Sequence, residues 1–153
     1  MVASYALRPA CLEDARSLQA IDASVKTRPW NEGQFAAVCS GDASRRETVL
    51  VVHQCDNVDG FIVYFRVLDE VSLHNIAVRA SRQGQGLGQQ LLQGLLKQMK
   101  RAGAARCLLE VRQSNTVALR LYEGNGFAVD GERNNYYPGS SRRENALLLS
   151  KTL

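Results

Sequence analysis

The chain has 153 residues, with 19 Lys and Arg against 15 Asp and Glu and a formal net charge of +4. Its 45% hydrophobic and 22% charged fractions are those of an ordinary folded protein, which excludes a disordered chain, and the length suits one domain with its own core. No apolar run approaches the ~20 residues of a membrane span, and the small charge excess does not mark a nucleic-acid footprint. The opening MVASYALRPACLEDARSL has no basic-then-apolar leader pattern, because Glu13 and Asp14 arrive almost at once. The expected compartment is therefore the cytoplasm. Cys11, Cys39, Cys55 and Cys107 are scattered without a C-x-x-C pair, so they read as reduced thiols rather than disulfide or zinc ligands.

In chain order, residues 3–8 alternate and predict a first strand, which Pro9 stops near the start of a helix. That helix places Leu12, Ala15, Leu18 and Ile21 on roughly one face. After the turn-like KTRPWN, Asn31 and Gln34 have the spacing of a capping box for a short second helix ending at Gly41. Trp30, just before the cap, is either a hydrophobic staple or a ligand contact. Residues 48–53 and 61–68, separated by DNVDG, predict an antiparallel hairpin, and Asp69-Glu70 turns the chain into residues 71–78. A helix from about Gly86, a strand over residues 106–112, a helix from about Asn115, a strand from Phe127 and a last strand through residues 146–149 follow. This order predicts an α/β fold with a mixed sheet, an antiparallel meander leading into a βαβ crossover.

The stretch from Val71 to Gly103 passes from strand through a glycine-rich turn into a long amphipathic helix. Glycines let the backbone approach an anion, and a helix N-terminus adds partial positive charge, so the turn reads as a phosphate cradle. Gly84, Gly86 and Gly88 are spaced by twos and follow a meander, which does not fit a dinucleotide fingerprint, and no Gly-Lys-Ser/Thr completes an ATP loop. The helix stripe of Leu87, Leu91, Leu92, Leu95, Leu96 and Met99 is core.

Q-x-x-G-x-G at residues 83–88, entered from Asn75-Ile76-Ala77-Val78, resembles the acetyl-coenzyme-A motif of the GNAT N-acetyltransferases. Four further pieces occur in family order: Arg28-Pro29-Trp30, Leu109-Glu110-Val111-Arg112 with Ser114-Asn115, Leu121-Tyr122-Glu123 with Gly126-Phe127, and Arg133-Asn134-Asn135-Tyr136-Tyr137-Pro138. They are similar to the branch that acetylates the N-terminal alanine of a small-subunit ribosomal protein. The resemblance implies a single GNAT acetyltransferase domain over residues 1–153. Its mixed central sheet would hold an antiparallel meander and a splayed parallel strand pair, with helices on both faces. It implies acetyl-CoA as cosubstrate and no metal. Backbone groups of Ile76, Ala77 and Val78 would bind the acetyl-pantetheine arm, with an oxyanion-binding N–H near Val78. Gly84, Gln85, Gly86, Leu87, Gly88 and Gln89 would wrap the pyrophosphate, and Asn115 would hydrogen-bond the arm. The position of Gly84 is often Arg in relatives, and Arg82 would be the compensating charge. Glu110 would be the general base, Tyr122 the acid, and Trp30, Glu32, Tyr136 and Tyr137 the contacts to the acceptor. The implied partner is the N-terminal segment of the ribosomal protein, with a protein of the tRNA threonylcarbamoylation machinery as a further candidate. No membrane or direct nucleic-acid partner is implied.

Plainer roles stand beside each of these. Alternation along residues 106–112 puts Leu108, Glu110 and Arg112 on one face and Cys107, Leu109 and Val111 on the other, so Glu110 also reads as a surface carboxylate paired with Arg112. Asn115 and Tyr122 are two helical turns apart on one face, yet also read as an N-cap and a buried tyrosine beside Leu119. Tyr136-Tyr137 also reads as packing at a strand end, and residues 140–143 as a solvated hairpin loop. His53 and His74 are isolated, His74 reading as a strand histidine, and no histidine is placed to activate Cys107 as a nucleophile. The competing functions are acetylation of small amines or lysine side chains, and a non-catalytic module responding to acetyl-CoA.

Overall fold

The computed structural model describes residues 4–42, 44–139 and 142–153. Its elements are β1 (Ala6–Pro9), α1 (Ala15–Val25), α2 (Glu32–Cys39), β2 (Glu47–Gln54), β3 (Asn57–Val67), β4 (Glu70–Val78), α3 (Leu87–Arg101), β5 (Arg106–Arg112), α4 (Thr116–Gly124), β6 (Ala128–Tyr137) and β7 (Glu144–Thr152). Short 3-10 turns at Leu12–Asp14 and Ala80–Arg82 precede α1 and the glycine loop. The strands form one mixed sheet in the order β1-β2-β3-β4-β5-β7-β6. Every neighbouring pair is antiparallel except β4 and β5, which α3 joins as a parallel crossover.

That parallel pair is short. It runs only from Glu70↔Arg106 to Leu73↔Leu109, after which the two strands part. β4 carries an extra residue at the same place. Tyr64 pairs with Leu73 and Val63 with Asn75, so His74 forms a bulge against β3. A bulge bends its strand, and here the bend opens the middle of the sheet.

Both faces of the sheet are covered. Val51, Phe61 and Val63 pack under Leu18 and Ile21 of α1 and Phe35 of α2. Val52, Ile62, Leu73, Leu109 and Leu149 pack on the other side against Leu91, Leu92 and Leu95 of α3. Coverage on both sides explains why β2 reads as an unbroken apolar run rather than an alternating one. None of the described helices is long and apolar enough to cross a membrane.

The capping box forms as its spacing predicts. Asn31 Oδ1 accepts the Gln34 N–H at 2.8 Å and Gln34 Oε1 accepts the Asn31 N–H at 2.9 Å. Trp30 packs on Phe35 with ring centroids 5.2 Å apart, the contact expected of a hydrophobic staple.

Turns and edges depart from the sequence reading. The β2–β3 turn is Cys55-Asp56, with Gln54 paired to Asn57, so most of DNVDG is strand. Cys55 adopts a positive φ of 53° in this turn. Gly60 instead serves packing, since a Cβ there would lie 3.0 Å from the Ala77 carbonyl oxygen and 3.0 Å from Val52. The next turn is Leu68-Asp69, one residue earlier than expected, with Val67 paired to Glu70. Leu12 is 54% exposed because it sits in the 3-10 turn before α1 rather than on the buried face. Ala3 of the expected first strand, and Ser140 and Ser141 of the expected loop, lie outside the described residues. Pro9 ends β1 opposite Leu50, on an edge strand, where a missing N–H is tolerated.

Leu95, fully buried, should cost about 2–5 kcal/mol when replaced by Ala, whereas Leu12→Ala should stay within about 0.5 kcal/mol. Urea unfolding of the two variants compares them directly, and equal losses would contradict the assigned faces. Asp14 accepts two bonds from the Arg8 guanidinium, at 2.7 and 2.9 Å, and the Cys11 N–H at 2.8 Å. The Arg8 bond, chiefly, holds its carboxyl at about 2. Because that value is depressed, the stabilisation is present above the ordinary carboxyl range and is lost as pH falls toward 2. The stability gap between wild type and Asp14→Asn should therefore shrink between about pH 4 and pH 2. A gap constant through that range in acid-titrated urea melts would remove Asp14 from this role.

Candidate active site

The glycine loop delivers β4 into α3. Gly84 and Gly86 adopt φ of 80° and 79°, the left-handed region that glycine occupies without strain. No heavy atom lies within 4 Å of a Cβ built at either, so the space over the loop is open. Gly86 caps α3 without any side-chain hydrogen bond, which leaves the first-turn N–H groups of Leu87, Gly88 and Gln89 without acceptors inside the helix. The positive φ at Gly84 disfavours any side chain there. Gly88 is different: a Cβ there would meet Leu121 at 3.6 Å, an ordinary contact.

The loop is braced from below. Gln83 Nε2 donates to the Val78 carbonyl at 3.3 Å. Buried Asp59 accepts from Arg79 Nε at 3.1 Å and from the Tyr5 hydroxyl at 3.0 Å. Arg82 stands beside the loop, half-exposed, with its Nε 3.8 Å from the same carboxylate. Gln89 and Asn125 exchange side-chain amide bonds at 2.8 and 3.3 Å, and Asn125 also donates to the Leu121 carbonyl at 2.7 Å. The start of α3 is thereby tied to the end of α4.

Two cavities follow the split between β4 and β5. One, of about 520 Å³, is lined by Lys26, Asn75, Ile76, Asn115 and Tyr122. The other, of about 650 Å³, is lined by Trp30, Asp130, Arg133, Tyr136 and Tyr137. Leu73, His74, Leu109, Glu110 and Tyr137 border both. Glu110 thus stands where the two meet. The structure brings seven of the expected residues, Trp30, Ile76, Glu110, Asn115, Tyr122, Tyr136 and Tyr137, onto the two cavities, whereas Val78, the loop from Gly84 to Gln89 and the exposed Glu32 on the first turn of α2 line neither. Ala77 turns its side chain into the core under α1, so only its backbone is available to the cleft.

Glu110 does not pair with Arg112. Its Oε1 lies 3.2 Å from Arg133 Nη2 on β6. Arg112 instead donates to the Pro138 carbonyl at 2.9 Å, meets Glu144 at 3.4 Å, and lies 4.6 Å from the centroid of the Tyr137 ring. Tyr122 is 5% exposed, with its ring 5.7 Å from Phe127. Burial, and then the nearby Cys107 and Tyr137, push its phenol well above the ordinary value, so it stays protonated at physiological pH. Burial and then Glu110 raise Tyr137 as well. Asn115 caps α4 by accepting the Ala118 N–H at 3.2 Å, and its amide N–H groups remain available at the cavity. Cys107 is buried on the face opposite Glu110, and burial pushes its thiol up to about 12. His74 lies against Phe65, centroids 4.5 Å apart, with Nδ1 3.9 Å from Glu47. Among the described residues no group of three His, Cys, Asp or Glu could hold a metal ion.

Sequence reasoning passed over a second polar assembly. Asp22, fully buried in α1, accepts Lys26 Nζ at 2.5 Å and the Trp30 N–H at 2.9 Å, while Lys26 also donates to the Asn75 side chain on β4. At i and i+4 on a helix, Asp22 and Lys26 look like an ordinary surface pair. Only the fold reveals that they join the Trp30 segment to the parted strand. Arg133 lay inside a quoted motif but had no assigned task.

This geometry sets a carboxylate where two cavities meet and a protonated phenol on the wall of one of them, with an open glycine loop leading into α3. The comparisons agree with it. The model of the acetyltransferase (GNAT) family matches residues 13–127. The ribosomal protein bS18-alanine N-acetyltransferase of Escherichia coli K12 is 38% identical over 122 residues, covering 80% of each chain. The crystal structure of the ribosomal-protein-S18-alanine N-acetyltransferase from Escherichia coli superposes with a TM-score of 0.88 at 34% identity, over 97% of this chain and 94% of that one. A putative acetyltransferase from Salmonella typhimurium, yncA, solved with its cofactor acetyl-CoA, shares the fold at a TM-score of 0.81 and 21% identity, over 97% and 94% of the two chains. The chain belongs to the GNAT acetyltransferase family.

Proposed function

We propose that residues 1–153 form one domain that transfers acetyl from acetyl-CoA to the N-terminal amine of an alanine-starting ribosomal protein, by direct attack in a ternary complex. The observation that carries this reading is the position of Glu110 at the junction of the two cavities. The names of the relatives support the choice of acceptor.

The donor side uses backbone. First-turn N–H groups of α3 and the loop from Gly84 to Gln89 hold the pyrophosphate. Ile76, Ala77 and Val78 offer the pantetheine amides the β4 edge that β5 no longer covers, and Asn115 adds a side-chain bond. On the acceptor side, Trp30, Tyr136 and Tyr137 flank the approach to Glu110. A peptide α-amine has a pKa near ~7.7–8.0, so roughly a tenth is neutral at pH 7. Glu110 takes the proton as the amine attacks the thioester carbon, and a backbone N–H of β4 near Val78 holds the oxyanion. Collapse expels the thiolate, which Tyr122 protonates. Its buried phenol is protonated beforehand, so the proton is in place when the thiolate leaves. A route through acyl-Cys107 lacks support, because that thiol is buried, raised to about 12 and turned away from Glu110.

Intact-mass analysis tests the reading, with acetyl-CoA and three competing acceptors: an Ala-starting ribosomal peptide, a blocked peptide with internal Lys, and a polyamine. One added acetyl on the α-amine is expected. Acetylation confined to the lysine peptide or the polyamine would overturn the choice of acceptor. Glu110→Gln should lower the rate by about 10²–10⁴-fold, most at low pH, with coenzyme affinity retained. An unchanged pH–rate curve removes Glu110 from the role. Tyr122→Phe should cost turnover far more than coenzyme affinity, and full turnover in that variant sinks the acid assignment.

A further inference from the structure

Both carboxylates that line the larger cavity are already held by arginines. Glu110 Oε1 lies 3.2 Å from Arg133 Nη2, and Asp130 Oδ2 lies 3.1 Å from Arg106 Nη2. The Arg133 guanidinium also sits 5.2 Å from the centroid of the Tyr136 ring, a cation–π contact that fixes it beside Glu110. Guanidinium does not lose its proton in proteins, so this cover over Glu110 persists at every working pH. Among the described residues, the cavity presents an incoming ammonium with no carboxylate lacking a cation.

We propose that Arg133 makes the cleft choose amines by protonation state, admitting the neutral form and refusing the ammonium, and so favours α-amines over lysine ε-amines. This inference rests on the amine-acetylation reading above and adds how that site chooses among amines.

The argument is one of charge. A bare carboxylate in a concave site binds an ammonium as an ion pair, but a bound ammonium has no lone pair with which to attack. Glu110, its charge met by Arg133, offers an ammonium little, yet it still accepts a hydrogen bond from a neutral amine and then its proton. At pH 7 roughly one α-amine in ten is neutral, against about one lysine side chain in 2,500, from pKa values of ~7.7–8.0 and ~10.4. A site that refuses the charged form turns that difference into selectivity. The pair is partly exposed, with Arg133 and Glu110 side chains at 53% and 32%, so it contributes little to folding and its loss reads out on substrate. The other charged or titratable groups lining the two cavities are His74, Arg112, Tyr122, Asp130, Tyr136 and Tyr137, with Lys26 and Arg28 following α1. They are unchanged in an Arg133 variant, so the difference between variant and wild type isolates Arg133.

The test measures binding of two peptides to the full chain saturated with CoA, by calorimetry at about pH 6 and about pH 9, on either side of the α-amine value. One peptide starts with a free Ala and lacks Lys; the other is N-terminally acetylated with one internal Lys. Wild type should bind the Ala peptide more tightly at the higher pH. Arg133→Gln should reverse that order, bind the Lys peptide several-fold more tightly than wild type does, and shift the rise of kcat with the Ala peptide to higher pH. Arg133→Lys, which keeps a cation, should follow wild type. Two results would overturn the proposal: Arg133→Gln with wild-type pH dependence and preference, or wild type binding the Ala peptide more tightly at the lower pH. The second needs no variant, so a variant that fails to fold does not shelter the proposal. Absence of acetyl transfer to the Ala peptide in wild type would count against the proposed function, while the CoA-complex binding data would still decide the role of Arg133.

Discussion

The structure depends on where β4 and β5 stop pairing. Backbone N–H and C=O groups are obligatory hydrogen-bonding groups, and an unpaired one in a covered sheet is costly. Here the ladder ends at Leu73↔Leu109, in the centre of a seven-stranded sheet with helices on both faces. β5 recovers its partners from β7 as far as Arg112↔Ala146, and β4 keeps its β3 ladder to Gly60↔Val78. The edge of β4 beyond His74 is what remains open. A ligand carrying its own amides can complete that edge, the role proposed above for the pantetheine arm. The glycine loop then follows at the only end of β4 from which α3 can start.

Buried carboxylates hold the walls of the gap in place. Asp59 gathers Tyr5 and Arg79 beneath the loop, and Asp22 gathers Lys26 and the Trp30 backbone beside the parted strand. Each is almost wholly inside the protein, and each is surrounded by donors, as burial of a charge requires. Neither touches the groups proposed to react. Their work is to fix the loop and the Trp30 segment against the strand between them.

Regular elements were legible in the sequence because period and capping are local properties. The Asn31–Gln34 box, the strand over residues 106–112, the crossover helix and the succession of seven strands along the chain follow from spacing, whereas the place of β7 between β5 and β6 does not. Turns were less legible, because Cys55 and Leu68 adopt left-handed backbone conformations that composition assigns to glycine. The family resemblance placed Glu110, Tyr122, Asn115, Tyr136 and Tyr137 on what the structure joins as one cleft. It did not separate Glu32, whose helix turn points elsewhere. The partner of Glu110 was misread for a physical reason. Alternation identifies neighbours along one strand, whereas Arg133 comes from β6, on the far side of β7 from β5. Lys26 and Asp22 were invisible for the same reason, since Asn75 lies 49 residues away from Lys26.

The place of β7 has a consequence in time. This last strand lies between β5 and β6, so the edge of β5 that carries Glu110 has no neighbour until residues 144–152 arrive. During synthesis the meander and the glycine loop can assemble first, from contacts close in sequence, while the strand bearing the carboxylate waits. Such late, long-range pairing is slow and leaves an open sheet edge in the interval. The half of the molecule proposed to hold the donor is therefore ready before the half proposed to use it.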